Sequence, residues 1–444
     1  MLLGGEKISA ASELMNNSCG ERILEMKEKS IVVGLDVGTT KVCTIVGISD
    51  LKNPQTELEI IGIGTHPSHG LKKGSVVNID KTVKSIHNSL EEARLMAGVQ
   101  IDRATIGIAG SHIYSFNSSG VVAIKGNEIT QEDVERVLEA AKAVVMPSDR
   151  EIIHVIPQEF KVDNTIGIKN PVGMCGKRLE VHVHVVTGSI SLIQNLVKCV
   201  EQTGIHVDNI TLQPIASSES VLSTEEKEMG TLLVDIGGGT TDLALWKDGS
   251  LVHTHVIPVG GNHFTNDLAV ALKISHAEAE RIKINHGSVL AEQVNQSAHI
   301  TVQGISGTKP REIEISSIAK VLGARADELY ELIGGIIQEK NLGSEINGGV
   351  VVTGGGAMIK GMAELGEYIL ERPLKIGYPV PFGGMTNIMQ NPKFSTVLGL
   401  LLEASKREGA PYEDKNNTNE INYLDNDLVG KLSHSIKSVF KEIF

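Results

Sequence analysis

The sequence predicts an α/β protein built from two similar lobes around a nucleotide-binding cleft. Two apolar segments each break into a short turn of glycine, threonine and aspartate, at residues 34–41 and 234–242, and each turn is followed by another apolar segment. Such a recurrence of one strand-turn-strand unit is what an internal duplication leaves. The chain of 444 residues is also long for a single core, which favours at least two domains.

The second turn, LLVDIGGGTTD at residues 232–242, has the composition of a phosphate-binding loop. Three adjacent glycines can take positive φ and bring bare backbone N–H groups against an anion. Thr240 and Thr241 add hydroxyl donors. Asp235 and Asp242 are too negative to contact a phosphate directly, so a divalent cation or its water shell would lie between them. Taken alone, the same residues would also suit an ordinary glycine-rich hairpin.

The first turn, IVVGLDVGTTK at residues 31–41, repeats this pattern and adds a lysine. Lys41 is long enough to reach a β- or γ-phosphate. Two such hairpins facing each other would hold phosphates from both sides of a cleft. The pair therefore favours a Mg-nucleotide as the ligand over a bare anion.

Three further positions are candidates for the same site. Residues 348–357 form a third apolar strand that ends in glycines, which permit the close approach of a flat ring such as a nucleobase. Gln213 would follow the strand at 210–212; there it could orient a water but could not act as a base, and a turn or helix-capping role stays open. Glu280 and Lys283 lie one turn apart on a predicted helix, a spacing usual for a solvated face.

A block at 104–178 carries no phosphate-binding chemistry and is predicted to be an inserted subdomain with its own small core. Its predicted order is strand, helix, strand, strand, at 104–109, 130–145, 152–160 and 164–169. An insertion without a site of its own most often contacts other proteins. In the strand that follows, His182 and His184 could share a face, but two strand residues without further ligands do not indicate a metal site.

Composition limits the function classes. With 41% hydrophobic and 21% charged residues the chain is a soluble globular type, and its net charge of −13 argues against broad nucleic-acid binding. The four cysteines, Cys19, Cys43, Cys175 and Cys199, show no C-x-x-C spacing and are predicted to be free thiols in a reducing cytoplasm. No apolar run approaches the ~18 residues of a membrane-spanning helix.

The end of the chain predicts a membrane-surface helix. Residues 406–426 are polar and lack apolar periodicity, which indicates a flexible linker. In residues 427–444 apolar side chains recur at helical steps and cations lie on the other side, as in helices that lie in a bilayer surface. The alternative is a helix docked on its own domain. The expected membrane-binding residues are Leu428, Val429, Leu432, Ile436, Val439, Phe440, Ile443, Phe444, Lys431, Lys437 and Lys441.

These motifs resemble those of the actin-like ATPase superfamily, which includes actin, the Hsp70 chaperones and sugar kinases. GLDVGTTK (34–41) resembles its first phosphate motif, VDIGGGTTD (234–242) its second, and VVTGGGAMIKG (351–361) its adenosine motif. Within it, HVIPQEF (154–160), GIKNPVGMCG (167–176), ASSESVL (216–222) and IKINHG (282–287) resemble the FtsA family of bacterial cell-division proteins, from about residue 29 to residue 444. The resemblance implies an actin-like duplicated ATPase fold, with an inserted subdomain called 1C and a C-terminal amphipathic helix.

The resemblance implies ATP and Mg as ligands. Phosphate or Mg contacts are implied for Asp36, Gly38, Thr39, Thr40, Lys41, Asp235, Gly237, Gly238, Gly239, Thr240, Thr241 and Asp242, with Mg held through water by Asp36 and Asp235. Glu280 and Lys283 would hold ribose and adenine, with Gly354, Gly355 and Gly356 beneath the base. Gln213 occupies the place where Hsp70-like and MreB-like members carry a Glu before Pro, so at most weak hydrolysis is expected.

The resemblance also implies a domain plan and partners. The expected parts are an extension (1–29), 1A (30–103 and 179–229), 1C (104–178), 2A (230–261 and 341–405), 2B (262–340), the linker (406–426) and the membrane-targeting helix (427–444). Subdomain 2B would bind the C-terminal tail of the tubulin-like ring protein FtsZ, while 1C would mediate filament formation and contact later division proteins. The helix would bind anionic lipid, which places the protein peripherally on the cytoplasmic face of the bacterial inner membrane at the division site. The alternatives are an actin-like pilus-assembly protein and a small-molecule kinase.

Overall fold

The computed structural model describes residues 29–50, 58–304, 310–381, 383–384 and 390–408. The strands are β1 (Lys29–Val37), β2 (Lys41–Asp50), β3 (Glu59–Pro67), β4 (Leu71–Lys72), β5 (Ser75–Val76), β6 (Arg103–Ile108), β7 (Tyr114–Ala123), β8 (Arg150–Val162), β9 (Thr165–Ile168), β10 (Arg178–Ser189), β11 (His206–Leu212), β12 (Thr231–Ile236), β13 (Thr241–Lys247), β14 (Ser250–Ile257), β15 (His299–Val302), β16 (Arg311–Glu314), β17 (Val350–Thr353), β18 (Leu374–Ile376) and β19 (Gly383–Gly384).

The helices are α1 (Ile79–Ala97), α2 (Gln131–Lys142), α3 (Ile190–Glu201), α4 (Gln213–Val221), α5 (Thr224–Met229), α6 (Gly261–Leu272), α7 (His276–His286), α8 (Ile315–Glu339), α9 (Met362–Leu370) and α10 (Ser395–Glu408). Short 3-10 turns lie at Gly343–Glu345, Gly355–Met358 and Pro392–Phe394. None of these helices is long and apolar enough to cross a membrane. The expected membrane-binding residues, 427–444, lie outside the described residues.

Two sheets share one strand order, which confirms the duplicated α/β fold. The first sheet runs β11-β6-β1-β2-β3 and the second runs β18-β17-β12-β13-β14. In both, the hairpin strands pair antiparallel and the next two strands join parallel to the first hairpin strand. The two phosphate-type turns therefore occupy equivalent positions, between β1 and β2 and between β12 and β13.

Helices cover both faces of the first sheet. Helix α1 packs on β3, where a Cβ at Gly62 would lie only 2.7 Å from Ala93 O, so glycine is needed for this approach. On the other face α10 packs on β1, with Val397 and Leu398 buried. The assignment of 341–405 to 2A is therefore wrong at its end, because α10 and the edge strand β19 join the first sheet.

The inserted subdomain is a four-stranded sheet, β7-β10-β8-β9, with α2 on one face. The expected boundaries, 104 and 178, are wrong by one strand at each end. Strand β6 pairs with β1 and β11 in the first lobe, and β10 pairs along its length with β7 and β8. Strand β7 escaped prediction because its middle, Asn117 to Ser119, is polar and nearly all of its residues are at least partly exposed, so apolar alternation is weak.

Two buried histidines predict sensitivity to acid. Burial lowers the pKa values of His184 and His154 to about 3. His184 hydrogen-bonds Asn117 and Thr254, so the inserted subdomain is joined to β14 of the second lobe. Between pH 6.5 and 3 these two side chains bind protons in the unfolded chain but not in the folded chain. As the pH is lowered through this range, the free energy of unfolding should therefore fall by about 1 kcal/mol per pH unit for each histidine.

Thermal unfolding at several pH values between 7.5 and 5 tests this prediction. We expect His184→Gln to reduce the slope of stability against pH, whatever its effect at neutral pH. The matched control is His182→Gln on the same strand, because the His182 side chain is 45% exposed. Equal slopes for wild type and His184→Gln would contradict the prediction.

Candidate nucleotide-binding site

The two glycine-threonine turns face each other directly. Each closes with the same backbone hydrogen bond, Gly38 N to Lys41 O at 3.0 Å and Gly237 N to Thr240 O at 2.9 Å. A Cβ at Gly238 would overlap Thr40 Oγ1, so only glycine allows the turns to approach this closely. The facing arrangement expected from the repeat is therefore present.

Around these turns lies a cleft with a cavity volume of about 450 Å³, in the range of small-molecule and cofactor sites. It brings together residues of both turns, the third glycine strand, α4 and α7. Of the predicted site residues it is lined by Asp36, Gly38, Thr39, Thr40, Lys41, Gln213, Asp235, Gly237, Gly238, Gly239, Thr240, Asp242, Glu280, Lys283, Gly354, Gly355 and Gly356.

Thr241 is the exception. Its side chain is buried, and its hydroxyl donates to Val259 O at 2.8 Å. Successive side chains of a strand point to opposite faces, so Thr240 and Asp242 line the cleft while Thr241 does not. The expectation that Thr241 contacts phosphate is wrong for this reason.

Three buried carboxyl groups lie in the cleft, where burial favours their neutral forms. Burial raises the pKa of Asp36 to about 6, although Lys41 opposes the shift. Burial raises the pKa of Asp242 to about 8, with the charge of Asp235 adding to the shift. The pKa of Asp235 is also raised by burial. A cation in the cleft would favour the ionised forms of all three.

The unpaired polar atoms fit a Mg-nucleotide. Asp242 Oδ1 and Lys41 Nζ are both buried and make no hydrogen bond among the described residues. Lys41 Nζ lies 4.0 Å from Asp36 Oδ2. Nowhere in the described ranges do three His, Cys, Asp or Glu side chains form a ready metal cluster. Mg²⁺ usually keeps several waters and binds through one or two carboxylates plus substrate phosphates, and carboxylates of this kind line the cleft.

Gln213 lines the cleft beside the first turn. It is the first residue of α4, and its Nε2 donates to Asp36 Oδ1 at 2.8 Å. An amide in this position can orient a water, but it cannot take a proton from it. The arrangement therefore lacks a general base at Gln213.

Glu280 and Lys283 lie together at the other wall of the cleft. Lys283 Nζ is 2.8 Å from Glu280 Oε2 and donates to Gly261 O at 3.0 Å. The pair is part of the cleft, as the family resemblance implied, and is not an ordinary solvated face.

Several cleft residues were not predicted from the sequence. Thr396 lines the cleft, and both it and Ser217, which is not itself a lining residue, donate to Asp235 Oδ2. Other unpredicted lining residues are Asn262, Ile284, Met358, Asn391 and Lys393. Of these residues, only Ser217 could have been predicted from the sequence. It lies four residues after Gln213 and therefore on the same face of a helix.

Solved structures share this fold. The protein of the "PilM-PilN type IV pilus biogenesis complex" matches with a TM-score of 0.62 and 17% identity, covering 86% of this chain and 99% of that chain. MreB5 of Spiroplasma citri, solved bound to ADP, matches with a TM-score of 0.52 and 17% identity, covering 85% and 97%. With the duplicated sheets and the cleft between them, these matches define an actin-like protein.

The sequence comparisons identify the family. A family model for "Cell division protein FtsA" matches residues 232–399. A second model, for the "SHS2 domain inserted in FTSA", matches residues 110–187, in agreement with the observed insertion. The FtsA protein of Pseudomonas aeruginosa is 44% identical over 85% of this chain and 90% of its own length. That of Neisseria meningitidis is 38% identical over 94% and 100%. The chain belongs to the FtsA family of cell-division proteins, and the pilus alternative is not supported.

Proposed function

We propose that the chain binds Mg-ATP, polymerises, and anchors the FtsZ ring to the cytoplasmic face of the bacterial membrane through residues 427–444. The observation that carries this proposal is the pair of phosphate-type turns facing each other across a cleft of about 450 Å³ in a chain of the FtsA family. The ADP bound to MreB5 of Spiroplasma citri supports a nucleotide as the ligand.

ATP acts here as a structural ligand and not as a fuel for metabolism. Asp36 and Asp235 hold Mg²⁺ through water, the two turns hold the phosphates, and Lys41 neutralises part of their charge. Bound Mg supplies the positive charge that three buried carboxylates and a polyphosphate require. Because Gln213 cannot act as a base, hydrolysis is slow and the bound nucleotide holds the two lobes together.

Membership of the FtsA family supports the proposed partners. The FtsZ C-terminal tail binds the region that contains α6, α7 and α8, and the inserted subdomain mediates filament contacts and contacts with later division proteins. One short helix binds a bilayer only weakly, so a filament that presents many such helices on anionic lipid gains avidity.

Co-sedimentation with liposomes tests the proposal. Full-length protein, Mg-ATP and anionic liposomes are mixed with FtsZ, and the matched control is FtsZ without its C-terminal tail. We expect FtsZ to pellet with liposomes only when this protein is present and the tail is intact. Recovery of FtsZ in the supernatant while this protein pellets with lipid would contradict the tethering role.

A further inference from the structure

Asp235, on a strand of the second lobe, is held by hydroxyl groups from two helices, of which α10 packs on the first sheet and α4 on both sheets. Ser217 Oγ on α4 donates to Asp235 Oδ2 at 2.5 Å, and Thr396 Oγ1 on α10 donates to the same oxygen at 3.1 Å. The two hydroxyls are themselves 3.1 Å apart. One carboxylate oxygen therefore has two donors.

The other oxygen is left for the cleft. Both donors bond to Asp235 Oδ2, while Asp235 Oδ1 lies beside Gly354, where a Cβ would overlap it. Both Asp235 and Gly354 line the cleft. A carboxylate fixed in this way presents one oxygen in a constant direction, as an outer-sphere cation site requires.

Helix α4 contacts the aspartates of both turns. Gln213 donates to Asp36, and Ser217, one turn later on the same helix, donates to Asp235. The helix packs against β12 and β13 of the second sheet and β6 and β11 of the first. A Cβ at Gly399 of α10 would overlap Ala216 O, so α4 and α10 form a closely packed pair. These contacts fix the two hydroxyls relative to each other.

We propose that Ser217 and Thr396 are positioning residues for the cation of the bound nucleotide: they hold one oxygen of Asp235 so that the other faces the hydrated metal. Thr396 belongs to a helix that packs on the first sheet, Ser217 to a helix that packs on both sheets, and Asp235 to the second sheet. The cation site is therefore complete only when the lobes adopt the arrangement seen here. The inference rests on the nucleotide binding proposed above.

A magnesium titration of nucleotide affinity tests the assignment. Thr396→Val keeps the shape of the side chain and removes the donor, whereas Thr396→Ser restores the hydroxyl. We expect Thr396→Val and Ser217→Ala each to raise the Mg²⁺ concentration for half-maximal ATP binding about tenfold, as for the loss of a hydrogen bond to a charged group. In chelator their affinity for ATP should equal that of wild type, and Thr396→Ser should require less Mg²⁺ than Thr396→Val.

The matched control is Ser218→Ala. Ser218 is the neighbouring residue of α4 and is equally buried, but its hydroxyl contacts Pro214 O and Trp246 Nε1 and does not reach the cleft. This variant should lose stability and keep the wild-type Mg²⁺ requirement.

Three results would overturn the assignment. Wild-type protein that does not bind ATP, with or without Mg²⁺, contradicts the proposed function and this inference with it. If wild type binds Mg-ATP and Thr396→Val has the same Mg²⁺ requirement, only the positioning role is wrong. If Thr396→Val weakens ATP binding equally in Mg²⁺ and in chelator, the hydroxyl supports the fold and not the cation.

Discussion

Gly354→Ala is expected to reduce ATP affinity by at least about a hundredfold. A side chain at this position would strain the backbone of the cleft itself by a few kcal/mol. Gly354 has φ 85° and ψ 170°, a region essentially confined to glycine. A Cβ there would overlap Asp235 Oδ1 and lie 2.6 Å from Ile236 O, a backbone atom of the strand that enters the second turn. The substitution therefore displaces both a carboxylate of the cleft and the backbone beside it.

A fluorescent ATP analogue in the presence of Mg²⁺ measures this effect. Gly167→Ala is the matched control, because Gly167 also has positive φ, at 74°, but a Cβ there would meet nothing within 4 Å. It should lower the free energy of unfolding by about 1 kcal/mol, as for other backbone strain, and leave the affinity unchanged. Wild-type affinity in Gly354→Ala would show that the third glycine strand is not part of the site.

Deletion of residues 427–444 is expected to abolish binding to anionic liposomes, with wild-type ATP affinity retained. The apolar and cationic side chains of this segment are the proposed contacts with the bilayer, whereas the cleft lies within residues 36–396. Flotation of protein with liposomes, with and without anionic lipid, measures the effect. Persistent flotation of the truncated protein would contradict the anchoring role.

Single substitutions in the full chain separate insertion from simple charge attraction. Phe440→Asn removes an apolar contact, and we expect it to weaken flotation at least about tenfold, since burial of such a side chain is worth roughly 1.5–3 kcal/mol. The matched control is His434→Asn, because helical spacing predicts that His434 lies on the opposite face, and this variant should bind as wild type does. Equal losses for the two variants would mean that no particular face enters the bilayer.

The chemistry of the candidate site was predictable because backbone geometry demands particular residues. Close approach of two turns needs glycine at Gly238 and Gly239, and the repeated Asp-Gly-Thr-Thr pattern marks both turns. Asp36, Lys41 and Asp235 were predictable because they lie within these two turn motifs. The orientation of the Thr241 side chain was not predictable, because the face to which it points depends on where β13 begins after the turn.

The sequence by itself determined the two-lobed α/β class and the duplicated turns, and it supplied the expectation of a nucleotide ligand, since these depend on residues close together in the chain. The tertiary structure alone decided that β6 belongs to the first lobe, that β10 belongs to the insertion and that α10 returns to the first sheet. It also decided that Ser217 and Thr396, 179 residues apart, meet at Asp235. Strand pairing and helix packing over such separations depend on the whole core, and no local pattern specifies them.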